Sequence, residues 1–250
     1  MSRVQALLDR VGIVLVRPKY PENIGSAARA ACNMGVGQLV VVGTPSKDLE
    51  PALKTATHNA AHLVRGIRYC DSLAAALADY ALVVGTTARL GRQRMPMAEP
   101  SQVGERILPT LATGRVALLF GPEDKGLANE ELTFCGLVVH IPTAGHFSSL
   151  NLAQAVAILC YELHQGLSRL QGQAPPGLYH PRLAGTQELT GMFEAARLAL
   201  LALDRSLDQD QADTRLRHLR QAVSRCTLSA RESKGLKDTC HQVLKAVEGR

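Results

Sequence analysis

The chain has no tryptophan, and its aromatics amount to four phenylalanines and five tyrosines among 250 residues. That scarcity argues against an aromatic platform on which single-stranded bases would stack. None of its six cysteines belongs to a CxxC pair and most stand among apolar residues, so buried free thiols are expected in place of disulfides or zinc ligands. No apolar run approaches the roughly 18 residues of a membrane span. The first residues, MSRVQALLDR, lack the basic-then-apolar order of a leader, so a soluble, cytoplasmic protein without membrane contact is expected. Two nucleotide signatures are missing as well. The first apolar run is followed by RPKYPENIGSAAR, whose one glycine, Gly25, cannot make GxGxxG; GPEDKGLA has phosphate-loop spacing but Leu127 and Ala128 where Lys and Ser/Thr are needed. Dinucleotide oxidoreductases and P-loop ATPases are thereby disfavoured. His58 and His62 stand four apart without the Glu of a metalloprotease motif, so a surface or core pair is expected and no metal.

What the chain does have is positive charge, a net +6 at pH 7, which suits an anionic partner without requiring one. Lys plus Arg stand against Asp plus Glu as 16 to 13 over residues 1–170, 1 to 0 over 171–187 and 11 to 9 over 188–250. The surplus is spread, so folding must gather any basic surface. Local clusters lie at Arg89, Arg92 and Arg94 and at Arg215, Arg217 and Arg220, where a solvated loop and a solvated helix face explain the charges equally well.

Apolar runs of strand length recur at GIVLV (12–16), QLVVVG (38–43), ALVVGTT (81–87), VALLFG (116–121) and LVVHIP (137–142). They are continuous, not alternating, which implies strands covered on both faces; the segments between them have helical spacing. Over NIGSAARAACNMG, residues Ile24, Ala27, Ala28, Ala31 and Met34 share one helical face and Gly35 supplies a stop. The order predicts an α/β fold, a parallel sheet with helices on both faces. A long amphipathic helix from Leu150 to about Leu170, carrying Leu152, Val156, Leu159, Leu163 and Leu167, closes a first domain over residues 1–170. Residues 171–187, QGQAPPGLYHPRLAGTQ, read as a linker. Beyond it, 188–250 predict a helical extension, with helices near 188–206, 211–225 and 229–247. Its buried stripes are Leu189, Met192, Phe193, Leu200 and Leu203, then Leu216, Leu219 and Val223, then Leu236, Val243 and Val247.

Three segments, PENIGSAARA (21–30), LLFGPEDKGL (118–127) and HFSSLNLAQA (146–155), place polar residues where a strand gives way to a helix. In an open parallel sheet that is where ligands bind. Local explanations exist for each: Asn23 as a helix N-cap, Glu123 as a turn or capping residue, and Ser148, Ser149 and Asn151 as caps of the long helix. Arg29 is harder to dismiss: it lies in the small-residue stretch SAARAA on a face distinct from the apolar one, where solvation explains an isolated arginine and a ligand or second subunit is the alternative. Three strand ends decorated alike nevertheless predict one shared pocket.

NIGSAARA, FGPEDKGL and SSLNLAQA, in that order and spacing, resemble the three motifs of the SpoU-TrmH branch of the SPOUT methyltransferases over about residues 11–165. The tail, ELTGMFEAARLALLAL with RLRHLRQAVSRCTLSARE, is similar to the helical extension of the TrmJ-type members. The resemblance implies a SPOUT fold with a C-terminal deep trefoil knot. It also implies a homodimer with its active site at the subunit interface, and transfer of methyl from S-adenosylmethionine to a ribose 2′-hydroxyl of tRNA. Cytidine or uridine at anticodon-loop nucleotide 32 is the implied target. By the family pattern, Thr86, Thr87, Ala88, Gly121, Ile141, Ser148, Ser149 and Leu150 would face the cofactor. Arg29 takes the place of the catalytic arginine, with Asn23, Glu123, Ser149 and Asn151 in the other polar motif positions.

An arginine is normally fully protonated, so phosphate binding and stabilisation of developing alkoxide charge stand beside a general-base role for Arg29. Arg89, Arg92, Arg94, Arg217 and Arg220 are candidate RNA phosphate contacts, with the extension as a tRNA-binding unit. Three alternatives stay open: the same chemistry on rRNA, a catalytically silent RNA-binding relative, and a small-molecule α/β enzyme using another nucleotide, which the missing fingerprints disfavour.

Overall fold

The computed structural model describes residues 2–43, 48–88, 96–144, 150–170, 182–225 and 228–248. Its elements in chain order are α1 (Arg3–Leu8), β1 (Val11–Val16), α2 (Pro21–Asn33), β2 (Leu39–Val42), α3 (Glu50–Arg65), β3 (Arg68–Cys70), α4 (Leu73–Leu77), β4 (Leu82–Thr87) and β5 (Met97–Ala98). There follow α5 (Val103–Thr113), β6 (Val116–Phe120), α6 (Asn129–Leu132), β7 (Leu137–His140), α7 (Leu152–Arg169), α8 (Thr186–Leu203), α9 (Gln209–Arg225) and α10 (Ala230–Glu248). The five expected strands all form, within a residue or two of their expected ends. β3 and β5 were not foreseen, being three and two residues long without an apolar run.

All seven strands are parallel, in the order β3-β2-β1-β6-β4-β7-β5. Two late strands therefore insert between earlier ones: Val116 pairs with both Val11 and Leu82, and Val138 with both Gly85 and Met97. Alternate residues of β1 feed opposite cores. Ile13 and Leu15 pack with Ile24, Ala28, Val156 and Leu159 from α2 and α7, whereas Val14 and Val16 pack with Leu77, Tyr80 and Leu132 on the other face. Burying side chains of this size is worth about 1.5–3 kcal/mol each, which explains why the central strands are continuously apolar.

The expected face of α2 is buried at Ile24, Ala27, Ala28 and Ala31. Gly35 ends that helix with φ +81°: its N–H donates to the carbonyl of Cys32 while that of Val36 donates to Ala31, a Schellman stop. In α7, Leu152, Val156, Leu159, Leu163 and Leu167 are all buried, as their spacing predicts. The segments 89–95 and 145–149 lie outside the described residues, as does linker segment 171–181.

The last part of the expected linker is structured. Leu183 bridges Ser229, and Thr186 donates through both its N–H (3.1 Å) and its hydroxyl (3.0 Å) to the carbonyl of Tyr80. This clasp starts α8 at Thr186 and docks the extension on the sheet. Within the extension, Met192, Phe193 and Leu216 are buried as expected, but Leu203, Leu219 and Leu236 are exposed, at 63%, 47% and 47%. Leu219 and Leu236 are exposed because α9 and α10 each pack along one seam of α8, leaving their outer stripes uncovered, and Leu203 is the last residue of α8. Among the described cysteines, Cys135 and Cys160 are buried but Cys32, Cys70 and Cys240 are only half-buried, and all five are free. No described helix is long and apolar enough to cross a membrane.

Candidate active site

The carboxyl ends of β4, β6 and β7 and the start of α7 enclose one cleft, lined by Thr86, Thr87, Ala88, Gly121, Ile141 and Leu150. These are the six described residues of the eight expected to face a cofactor; Ser148 and Ser149 lie outside the described residues. Apolar walls come from Phe120, Leu127 and Leu152, which the sequence reading did not place against the cofactor although all three stood inside the motifs. The loop after β6 folds back over the strand end, with Gly126 at φ +65° donating to the carbonyl of Pro122 (2.8 Å). A Cβ on Gly121 would lie 2.2 Å from the carbonyl carbon of Gly126, so only glycine admits this fold-back.

At the mouth, three polar side chains from distant segments form a chain of hydrogen bonds. Asn151 caps α7: its Oδ1 accepts from the N–H of Ala153 (2.8 Å). That fixes its amide, so Nδ2 donates to Oδ1 of Asn23 (2.9 Å), and Nδ2 of Asn23 in turn donates to Oε1 of Glu123 (2.6 Å). The other carboxylate oxygen of Glu123 accepts from the N–H of Lys19 (3.0 Å). Glu123 thus accepts at both oxygens. The capping explanation survives for Asn151 and fails for Asn23, whereas Glu123 caps no helix but stands, as its other local explanation had it, in the turn after β6. α2 begins with Pro21 after Tyr20, which makes no side-chain cap, leaving Asn23 inside the first turn and free to reach Glu123.

Ion pairs hold the loops after β1 and β6 together. The ammonium of Lys19 binds Asp124 (2.7 Å); that hydrogen bond raises the Lys19 pKa and holds the Asp124 carboxyl below the usual carboxylate range. Arg17 turns the chain at the end of β1 with φ +45° and pairs with Glu131 (2.6 Å), which is almost buried and also accepts from the N–H of Ala128 (2.8 Å). A non-glycine residue held at positive φ beside a site is over-determined by its surroundings. Neither pair was foreseen, because nothing local in the sequence joins residues more than a hundred positions apart.

Arg29 lies elsewhere. It is exposed on α2, six residues past Asn23, so its Cα stands about 9 Å further along the axis and about a third of a turn away. Among the described residues it has no ion pair or hydrogen bond. Arg89, Arg92 and Arg94 lie outside the described residues. Arg217 is exposed on α9, whereas Arg220 is half-buried with its guanidinium 5.0 Å above the Phe193 ring, a packing role that turns it inward. His58 and His62 form a surface pair, and no cluster of three metal-ligating side chains occurs among the described residues.

A parallel sheet with a cleft at its strand ends and a polar chain at the mouth defines an α/β ligand-binding protein. The family model described as SpoU rRNA Methylase matches residues 10–161, and the chain belongs to that family. It is 43% identical over 168 residues, 67% of its length, to the tRNA (cytidine/uridine/adenosine-2′-O-)-methyltransferase TrmJ of Pseudomonas aeruginosa, and the match spans 65% of that relative. TrmJ from Z. mobilis ZM4 has a similar structure, with a TM-score of 0.78 and 28% identity over 93% of this chain and 98% of that one. The SpoU methyltransferase AviRb from Streptomyces viridochromogenes, solved with AdoMet, matches at TM-score 0.52 and 26% identity, over 66% and 60% of the two chains.

Proposed function

We propose that the protein is an S-adenosylmethionine-dependent methyltransferase acting on a ribose 2′-hydroxyl of tRNA, with cytidine or uridine at anticodon-loop nucleotide 32 as its target. The chain of hydrogen bonds from Asn151 through Asn23 to Glu123, set at the mouth of the strand-end cleft, carries this reading. The names of the TrmJ relatives and the AdoMet bound to AviRb support it. The cleft suits this cofactor chemically: Phe120, Leu127, Ile141 and Leu150 offer apolar surface for a purine, and the carboxylate of Glu123 suits its positive centres. A trefoil knot in the C-terminal part of the sheet domain, and a cytoplasmic location where tRNA is found, belong to the same reading.

When bound, S-adenosylmethionine supplies a methyl carbon on a positively charged sulfonium, a leaving group that needs no further activation. The chain's own work is alignment and charge. Asn23 orients the Glu123 carboxylate, Asn151 orients Asn23, and the first turn of α7 fixes Asn151, so three segments hold one carboxylate at the mouth. Positioning of this kind supplies much of the acceleration in a displacement reaction. Arg29 stands outside this set, so in a homodimer it would serve the partner subunit's site. There it would bind the phosphate beside the target ribose and stabilise the negative charge that builds on the 2′-oxygen as its proton passes to solvent water. If charge is what matters, Arg29→Lys keeps measurable turnover and Arg29→Ala loses it; equal loss in both would favour a role only guanidinium geometry can fill.

The direct test is to incubate the purified protein with methyl-labelled S-adenosylmethionine and separate pools of tRNA and rRNA, then to map the label by nucleotide mass spectrometry. Label on the 2′-oxygen of nucleotide 32 in tRNA is expected. Label confined to rRNA would overturn the substrate, and cofactor binding without transfer to either pool would overturn the activity.

A further inference from the structure

The cations on α9 that the sequence singled out are largely spent: Arg215 pairs with Asp204 (3.5 Å) and Arg220 packs over Phe193. A different surface of the extension is better equipped. A groove between α8 and α10 is lined by Arg182, Gln187, Glu188, Gly191, Arg231, Ser233, Lys234 and Lys237. Its carboxylate is already engaged, because Glu188 takes both guanidinium nitrogens of Arg182 (2.7 and 3.1 Å) and the N–H of Gly185 (2.9 Å). Arg231, Lys234 and Lys237 have no ion pair among the described residues. Three uncompensated charges therefore face one groove. With His241 and Lys245 they occupy about a third of the circumference of α10, an arc that helical spacing shares with Asp238 and, in the last turn, Glu248.

The groove is also firmly built. Ser233, buried, donates from its hydroxyl to the carbonyl of Glu188 (3.3 Å), and the N–H of Ala230 donates to the carbonyl of Arg182 (2.8 Å), so α10 is tied to the start of α8 at two levels. Gly191 leaves the α8 wall bare opposite Lys237, whose ammonium would stand 3.4 Å from a Cβ placed there. Arg231 and Lys234 are exposed and Lys237 is half-buried, so cations without a carboxylate partner, set side by side on a firmly packed helix pair, form a surface for a polyanion.

We propose that this α8–α10 groove, with Arg231, Lys234 and Lys237, holds the phosphodiester backbone of the RNA substrate, a placement that rests on the tRNA reading above. The groove is carried by the same extension that Thr186 clasps to Tyr80, so RNA bound there is held in fixed relation to the sheet.

The test uses the full-length protein and fluorescence anisotropy with labelled tRNA over a range of salt. In the triple variant Arg231→Gln/Lys234→Gln/Lys237→Gln, the Kd for tRNA rises at least about tenfold and the slope of log affinity against log salt falls by about 2 to 3, one unit or slightly less per lost phosphate contact. The KM for tRNA rises with it, while affinity for S-adenosylmethionine, read by calorimetry, does not move. Lys234→Arg/Lys237→Arg restores binding, which a merely unfolded extension would not do. A triple variant that binds tRNA with wild-type affinity and slope overturns the assignment. So does one that keeps tRNA binding but loses binding to phosphatidylserine vesicles, which would make the groove a membrane contact. If the wild-type protein neither binds nor methylates tRNA, the functional reading fails first and the groove assignment falls with it.

Discussion

Asn151 performs two tasks that substitutions can separate. Its Oδ1 caps α7 and its Nδ2 donates to Asn23, the first link toward Glu123. Asn151→Asp keeps the cap, because a carboxylate accepts from the N–H of Ala153 equally well and is favoured at a helix N-terminus. It replaces the donor with an acceptor, however, and sets two oxygens against each other. Turning the Asn23 amide over only moves the conflict to Glu123, 2.6 Å away. An unmatched polar contact costs about 1–3 kcal/mol, and the low end applies here because Asn151 is exposed. If that misplacement falls on Glu123 in the transition state, turnover drops by about tenfold or more, since about 1.4 kcal/mol is a factor of ten. Asn151→Ala loses the cap as well, worth about 1 kcal/mol, which in a chain of this size lowers Tm by about 2–4 °C. Single-turnover methyl transfer and thermal melts on both variants give the readout. The expected pattern is an aspartate variant that melts within about 2 °C of wild type, because a negative charge at the helix N-terminus contributes about 0.3–1 kcal/mol and offsets most of the unmatched contact, yet is impaired in transfer, and an alanine variant impaired in both. Wild-type transfer by Asn151→Asp would remove the hydrogen-bond chain from the mechanism. A melting loss as large as that of Asn151→Ala would refute the capping argument.

Three further outcomes follow from the packing and the titrations. Gly121→Ala forces the 122–127 loop off the strand end, because its Cβ would lie 2.2 Å from Gly126, so calorimetry should show S-adenosylmethionine binding weakened at least about tenfold, a change of about 1.4 kcal/mol. Burial pushes the thiols of Cys135 and Cys160 up to about 12, so neither reacts with a thiol reagent at pH 8 until the protein unfolds; rapid native-state labelling of either, located by peptide mapping, would contradict their packing. Glu188 is held below its usual range, first by its hydrogen bonds from Arg182 and then by the N–H of Gly185. A depressed carboxylate contributes stability above its unfolded value, near 4.5, and loses it as pH falls through the lower folded value. Protease cleavage near the start of α8 should therefore accelerate below about pH 4.5 in wild type, and Glu188→Gln should show that faster cleavage at neutral pH with a flatter acid dependence.

Much of the fold was legible because the signals that carry it are local. Five continuous apolar runs became β1, β2, β4, β6 and β7, since a strand covered on both faces must be apolar at every position. The stripe from Leu152 to Leu167 became the buried face of α7 for the equivalent reason at helical period. β3 and β5 were hidden because short edge segments bury too little to leave a pattern. The stripes through Leu203, Leu219 and Leu236 misled, since amphipathic spacing records a face that could be covered and not whether a neighbour covers it. At the site, the polar strand ends were visible one by one. Their partners were not: nothing near Asn23 in the sequence selects Glu123 over a helix cap, and nothing near Arg220 selects the Phe193 ring over solvent.

The sequence by itself determined which segments are strands and helices, which faces are buried, and that three decorated strand ends exist, because periodicity and turn chemistry act over a few residues. Only the tertiary structure decided that β6 enters between β1 and β4 and β7 between β4 and β5. That insertion brings Thr86, Gly121 and Ile141 to one cleft and sets Asn23, Glu123 and Asn151 within hydrogen-bond distance, though a hundred or more residues of chain separate Asn23 from the other two. Pairing among parallel strands is settled by packing of the whole sheet, and no single stretch of chain contains it.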